Sequence, residues 1–267
     1  MPEPTHGNQG IQAALYKIDP PTNSSQKSYN IHSRQTRRLP EPTQSSQGTQ
    51  AAPHFIQQQA RLMDLPCWES LSERGNRNTN QDVILEFSHP NIAFVAVLDG
   101  HGLEGREVAQ LAANLLKKKI QDNLCYTWNA TDLAQTIMDI DKNLYGLRGG
   151  STIACALFQH ATNVLLVANA GDSHIVLSQN GKAKRLSETH NTTNDNERDR
   201  ITSKGGFIIN HRVAGTHQVT RGLGDCSLKS YIIPDPYIRE IKLEKEHEFL
   251  IIGSDGVSSK IIIQVLC

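Results

Sequence analysis

Apolar residues are sparse over the first sixty positions and then return in short runs whose spacing changes along the chain. Residues 1–60 are rich in Gln, Ser, Thr, Pro and Asn. Such a stretch buries too little apolar surface to offset its ordering entropy, so a disordered tail is expected there, followed by one domain over residues 61–267. Within that domain Ile92 to Leu98 is an unbroken apolar run ending at Asp99-Gly100. It predicts a strand covered on both faces that delivers a carboxylate at its end. Val108, Leu111, Ala112, Leu115, Leu116 and Ile120 then recur at helical spacing, with Lys117, Lys118 and Lys119 where cations suit the helix dipole. A second helix is predicted through Leu133, Ile137, Ile140 and Leu144, started by Thr131 or Asp132.

Past Gly149-Gly150 the pattern becomes that of strands: Ser151 to Phe158, Val164 to Ala168, Ile175 to Leu177, and later Phe249 to Ile252 ending near Asp255. Asn169-Ala170-Gly171-Asp172 and Gln179-Asn180-Gly181 are tight-turn signals of the kind that join antiparallel neighbours. A short helix is expected over Asn196 to Ser203. Strands, two adjacent helices, then more strands predict helices layered on antiparallel sheets, not alternating βαβ units.

Charge and cysteine usage narrow the setting. Lys+Arg and Asp+Glu stand at 27 each in 267 residues, so no net field points to nucleic acid or a membrane surface. Cys67, Cys125, Cys155, Cys226 and Cys267 are widely spaced with no CxxC pair, which fits a reduced thiol set and a cytoplasmic or nuclear protein. No run has the eighteen or so apolar residues that a membrane span needs, and the N-terminus lacks a secretory pattern.

The candidate chemistry lies at two strand ends. Asp99 and Asp255 each precede a glycine at the end of an apolar run. Side by side in a sheet they would gather oxygen ligands suited to hard divalent cations, whereas an isolated Asp-Gly is ordinarily a turn. His101 follows the first corner and is a candidate general acid, although a lone histidine is more often structural. Arg77 stands five positions before Asp82, and its planar fork matches phosphate oxygens.

These pieces resemble, in order, the metal-dependent phosphatases called protein phosphatase 2C. The resemblance runs from about Leu71 to Val257 through Arg77…Asn80-Gln81-Asp82, Asp99-Gly100-His101-Gly102, Gly150-Ser151-Thr152 and Ala168-Asn169-Ala170-Gly171-Asp172-Ser173. It continues through Leu186-Ser187 with His190, Glu197-Arg198…Gly205-Gly206, Arg221-Gly222-Leu223-Gly224-Asp225 and Asp255-Gly256-Val257. Each motif is weak alone, and eight in family order are specific.

The resemblance implies an α+β fold, a four-layer α-β-β-α sandwich of two antiparallel sheets flanked by antiparallel helix pairs. It implies a binuclear Mg²⁺ or Mn²⁺ centre with a third, loosely held ion. Asp99, Gly100, Asp255, Asp82 and Gln81 map onto metal positions, Asp172 onto the additional metal, Arg77 onto the phosphate holder and His101 onto the general acid. The activity implied is hydrolysis of phosphoserine and phosphothreonine in proteins by a metal-activated water, without a phosphoenzyme. Phosphoproteins are then the partners, and a monomer is expected.

The chain departs from that pattern at several points. Gln81 stands for a glutamate, Ser259 for an aspartate, His174 for an arginine and Thr189 for an aspartate, and the first two predict weaker metal binding. The chain stops at Cys267, before the family's last strands and final aspartate ligand, so a domain incomplete at its C-terminus, with exposed apolar surface and self-association, is expected. A catalytically inactive binding module and a truncated isoform therefore stand as alternatives to a working enzyme.

Overall fold

The computed structural model describes residues 11–18, 68–74 and 79–257, all within one compact unit. In chain order the strands are β1 (Ile11–Lys17), β2 (Trp68–Glu73), β3 (Val83–Ser88), β4 (Ile92–Leu98) and β5 (Gly100–Gly102). Helices α1 (Gly105–Gln121) and α2 (Ala130–Lys142) follow. Next come β6 (Gly149–Ser151), β7 (Ile153–Gln159), β8 (Val164–Ala170), β9 (His174–Gln179) and β10 (Lys182–Arg185). Helix α3 (Asp195–Ser203) precedes β11 (Ile208–Ile209), β12 (Arg212–Val213), β13 (Leu223–Gly224), β14 (Tyr237–Lys242) and β15 (His247–Gly253).

Two five-stranded antiparallel sheets form the α+β sandwich, one ordered β14-β8-β7-β4-β3 and the other β10-β9-β15-β1-β2. Strand β4 shows why an unbroken apolar run is needed in the middle. Phe94, Ala96 and Leu98 face the helices, packing with Val108, Ala112 and Leu116 of α1 and Leu133 and Ile137 of α2. The alternate residues Val95 and Val97 face the second sheet, meeting Ile175, Leu177, Leu250 and Ile252. All seven residues of β4 are buried as a result, and a polar residue at any of them would be left without water on either face.

Helix α2 begins two or three residues earlier than expected. Its cap is Asn129, not Thr131 or Asp132. The Asn129 side chain accepts from the Asp132 amide at 3.1 Å, and the Asp132 carboxylate accepts from the Asn129 amide at 3.2 Å, a reciprocal capping box. Leu144, assigned to this helix from its spacing, lies past its end but is fully buried. In α1 the buried stripe runs through Val108, Ala109, Ala112, Ala113, Leu116 and Ile120, and Leu111 is exposed.

The main departure is β1. Residues expected to belong to a disordered tail form a strand between β15 and β2, with Ala13 opposite Gly253 and Leu15 opposite Glu69. Backbone pairing on both sides, with Ala14 and Ile18 buried against Leu250 and Ile252, supplies what its local composition lacks. The remainder of the expected tail, the C-terminal stretch 258–267 and Arg77 lie outside the described residues. Both long helices lie on one sheet. The outer face of the other carries Val176, Ile251 and Val257 with Ala13, Leu15 and Phe249.

Candidate functional site

Three strand ends from the two sheets open into one place. Asp99 follows β4, Asp172 follows β8 and Asp255 follows β15, and together with His101, Thr152, Arg212 and His217 they line a cleft of about 360 Å³. Thr152 joins two of these ends. Its amide donates to the Asp99 carbonyl at 2.9 Å, its Oγ1 accepts from the Asp99 amide at 3.3 Å, and the same oxygen lies 2.7 Å from Ser173 Oγ. Gly171 makes that approach possible: at φ 117°, a Cβ there would sit 2.7 Å from Thr152 Cβ. His190 holds the Gly171 corner by donating its amide to the Gly171 carbonyl at 3.0 Å and accepting the Gly171 amide on Nδ1 at 3.3 Å. Burial keeps that imidazole neutral, its pKa pulled down to about 4.

The electrostatics favour a cation. Burial, and then the neighbouring Asp255 carboxylate, push the Asp172 carboxyl up to about 6. A divalent ion among these oxygens would relieve that repulsion, and carboxylates are the donors that Mg²⁺ and Mn²⁺ take.

Other residues singled out by the sequence fall at different distances from this cleft. Gly100 is buried in β5 between the cleft residues Asp99 and His101, and a Cβ there would lie 2.3 Å from the Gly105 carbonyl oxygen. The Gln81 amide donates to the Gly102 carbonyl at 2.9 Å and so braces the loop after Asp99. Asp82 is buried and lines a neighbouring cavity with Ser72, Asn80, Arg106 and Gln110, and it is not among the residues lining the Asp99 cleft. Arg106 Nη1 donates to the carbonyls of Asn80 and Asp82, both at 2.9 Å, which ties that segment to α1. Arg77 and Ser259 lie outside the described residues.

His217 of the cleft lining and the buried Asp225 have no role assigned from sequence. In the small sheet β13-β6-β5, His101 is opposite Gly150 and Gly150 is opposite Gly224. His101 and Asp225, the residue after Gly224, meet across Gly150, with His101 Nε2 at 2.8 Å from Asp225 Oδ2. His217 Nε2 lies 3.2 Å from the other carboxylate oxygen, Oδ1. Burial opposes ionisation of Asp225, but the bonds from His101 and His217 outweigh it and hold the carboxyl well below the usual carboxylate range. Asp225 stood in the motif Arg221 to Asp225, which was a signal without a role. His217 gave none, because its neighbours are distant in sequence.

The support behind Asp225 is polar and paired. The Gly224 amide donates to Asp141 Oδ1 of α2 at 2.8 Å, and Lys229 Nζ reaches the same oxygen at 2.8 Å. Upstream, buried Glu197 of α3 accepts from Arg221 Nη2 at 2.6 Å and Nε at 3.0 Å, and from Arg200 Nη2 at 2.9 Å. Arg200 also donates to the carbonyls of Thr220 and Tyr231, so α3 fixes the chain leading to Gly224.

A profile of the protein phosphatase 2C family matches residues 70–267. Among curated proteins, "Probable protein phosphatase 2C 32" of Oryza sativa subsp. japonica is 34% identical over 185 residues, covering 64% of this chain and 46% of that protein. "Protein phosphatase 2C homolog 1" of Schizosaccharomyces pombe is 36% identical over 174 residues, 61% of this chain and 50% of that protein. The chain spans about half the length of the curated relatives it matches. Among solved structures, a sex-determining protein of C. elegans superposes with a TM-score of 0.64 at 25% identity, over 72% of this chain and 53% of that one. A phosphatase from Toxoplasma gondii shares the fold at a TM-score of 0.55 and 17% identity, over 71% and 72%.

Proposed function

The chain belongs to the protein phosphatase 2C family, and from that premise we propose that it hydrolyses phosphoserine and phosphothreonine in proteins. The observation that supports this most is the meeting of Asp99, Asp172, Asp255 and His101 in one cleft. Asp99 and Asp255 would hold Mg²⁺ or Mn²⁺, with the Gly100 carbonyl beside Asp99, and Asp172 would serve a further ion. Such ions would supply Lewis-acid polarisation of a phosphoryl oxygen and a more acidic water at neutral pH.

The protein's own groups carry the remaining steps. His101, which lines the cleft and lies 2.8 Å from Asp225, would hand a proton to the departing serine or threonine oxygen. Arg77 is the proposed phosphate holder, its fork suited to two phosphoryl oxygens. A thiol nucleophile is not part of the scheme: burial pushes Cys155 up to about 12, where it is inert. No described helix is long and apolar enough to cross a membrane. The free thiols of Cys125, Cys155 and Cys226 support the proposal of a reducing compartment, cytoplasm or nucleus, for a monomer acting on phosphoproteins.

Hydrolysis of a phosphothreonine peptide by the full chain, with and without millimolar Mn²⁺, tests the reading. Turnover that requires the metal and vanishes in Asp99→Asn is expected. A folded chain that binds Mn²⁺ and gives no turnover would replace the enzyme with a binding module.

A further inference from the structure

His101, His217 and Asp225 form a cluster that the hydrolytic scheme uses only in part. Their donor atoms all lie within 4.8 Å of one another, and the two imidazoles meet edge to face with ring centroids 5.9 Å apart. The carboxylate between them is 1% exposed, whereas the His101 and His217 side chains are 28% and 26% exposed to the cleft. One buried anion thus faces two partly exposed imidazoles.

We propose that His101, His217 and Asp225 are a binding site for a borderline divalent cation of the Zn²⁺ type, separate from the carboxylates of Asp99 and Asp255, and that its occupancy withdraws His101 from proton transfer. Zn–N and Zn–O bonds of roughly 2.0–2.2 Å place donors on one ion about 2.9–3.5 Å apart between square and tetrahedral angles. His101 Nε2 lies 2.8 Å from Asp225 Oδ2, just under that range, and His217 Nε2 lies 3.2 Å from Oδ1, within it, so an ion would enter on a small outward shift of the imidazoles. Two imidazoles and one carboxylate select Zn²⁺, Ni²⁺ or Cu²⁺ over Mg²⁺, which takes oxygen donors.

Groups behind the donors are arranged as a metal site needs them. His217 Nδ1 lies 2.8 Å from Thr216 Oγ1, which occupies the far ring nitrogen and turns Nε2 toward Asp225. The loop bearing it is pinned by the Val213 amide donating to the His217 carbonyl at 2.8 Å. The Asp225 amide donates to the Gly149 carbonyl at 2.8 Å, and Gly150, lacking a side chain, leaves room for both donors: a Cβ there would sit 2.3 Å from Asp225 Oδ2 and 2.5 Å from His101 Nε2.

The experiment is Zn²⁺ binding by the full chain in excess Mg²⁺, read by competition with a chromophoric chelator. One Zn²⁺ equivalent is expected that is weakened tenfold or more in both His217→Ala and His217→Asn and persists in Asp255→Asn. Weakening of less than tenfold in the folded His217 variants, or loss of that equivalent in Asp255→Asn, would overturn the proposal. Should both His217 variants unfold, Co²⁺ in the wild-type chain decides: intense visible bands of a low-coordinate, nitrogen-containing site support it, and the pale spectrum of six oxygens refutes it. None of these readouts uses turnover, so they stand apart from the phosphatase reading. With turnover in hand, Zn²⁺ inhibition that added Mn²⁺ does not relieve is the expected companion, and inhibition relieved in proportion to Mn²⁺ counts against it.

Discussion

The hydroxyls of Thr152 and Ser173 lie 2.7 Å apart in a fully protein-enclosed contact, and through it the strand end bearing Asp99 is fastened to the loop bearing Asp172. One threonine just before β7 therefore ties together two candidate ligands from different strands. Thr152→Val keeps the shape but leaves the Asp99 amide and Ser173 Oγ without that partner. A loss of about 1–3 kcal/mol in urea unfolding is expected, with a raised Mn²⁺ requirement, whereas Thr152→Ser should retain most of both.

Like charges in the cleft carry a second prediction. Asp172 is raised by burial and by Asp255, so in chelator the wild-type chain carries unrelieved repulsion. Asp172→Asn should melt at a higher temperature than wild type without metal, and should gain less on addition of Mn²⁺. Differential scanning fluorimetry across a metal titration reads both.

Gly150 is the point where His101 and Asp225 close on each other, and it has no space for a methyl group. Gly150→Ala should fold yet lose on the order of a hundredfold in turnover, the scale of a displacement near 1 Å of a reacting group. Comparison of kcat for phosphothreonine and for an activated aryl phosphate checks the origin, since an aryl leaving group has less need of a proton and should lose less.

Acid stability should report on Glu197. Burial raises its carboxyl, but Arg221 and Arg200 prevail and hold it at about 2, against 4.5 for an ordinary glutamate. A depressed folded value means that this contribution, on the order of 3 kcal/mol, is complete above pH 4.5 and is lost as pH falls from 4.5 toward 2. Glu197→Gln should flatten the unfolding free energy over that interval. At pH 7 it should cost about 3–5 kcal/mol, because two guanidinium groups lose their buried counter-charge.

How much of this could be read from the chain depended on whether the cause was local. Strand β4 was legible because seven consecutive apolar residues need cover on both faces, and Asp99 followed from its position at the end. The start of α2 was misplaced by two or three residues because Asn129, Thr131 and Asp132 can all cap, and only the reciprocal Asn129–Asp132 bonds decide among them. Strand β1 was invisible, since its short apolar segment sits in a polar stretch and is made a strand by partners at 68–73 and 249–253. The cleft was legible at Asp99, His101 and Asp255, which announce themselves beside glycines. His217 was not, because a histidine in a loop acquires meaning only when a turn brings it to Asp225.

The insertion of β1 also governs the order of assembly. Strands β3, β4, β7 and β8 pair with neighbours in sequence, apart from the two-helix excursion, and can form while the ribosome is still adding residues, with β14 joining β8 later. The sheet carrying β1 cannot, because Ala13 waits for Gly253 across nearly the whole described chain. Closure of that long loop comes late, and until it happens β2 has no partner on its β1 side. A nascent or partly unfolded molecule would therefore expose its second sheet first, and chaperone capture or proteolysis should begin there.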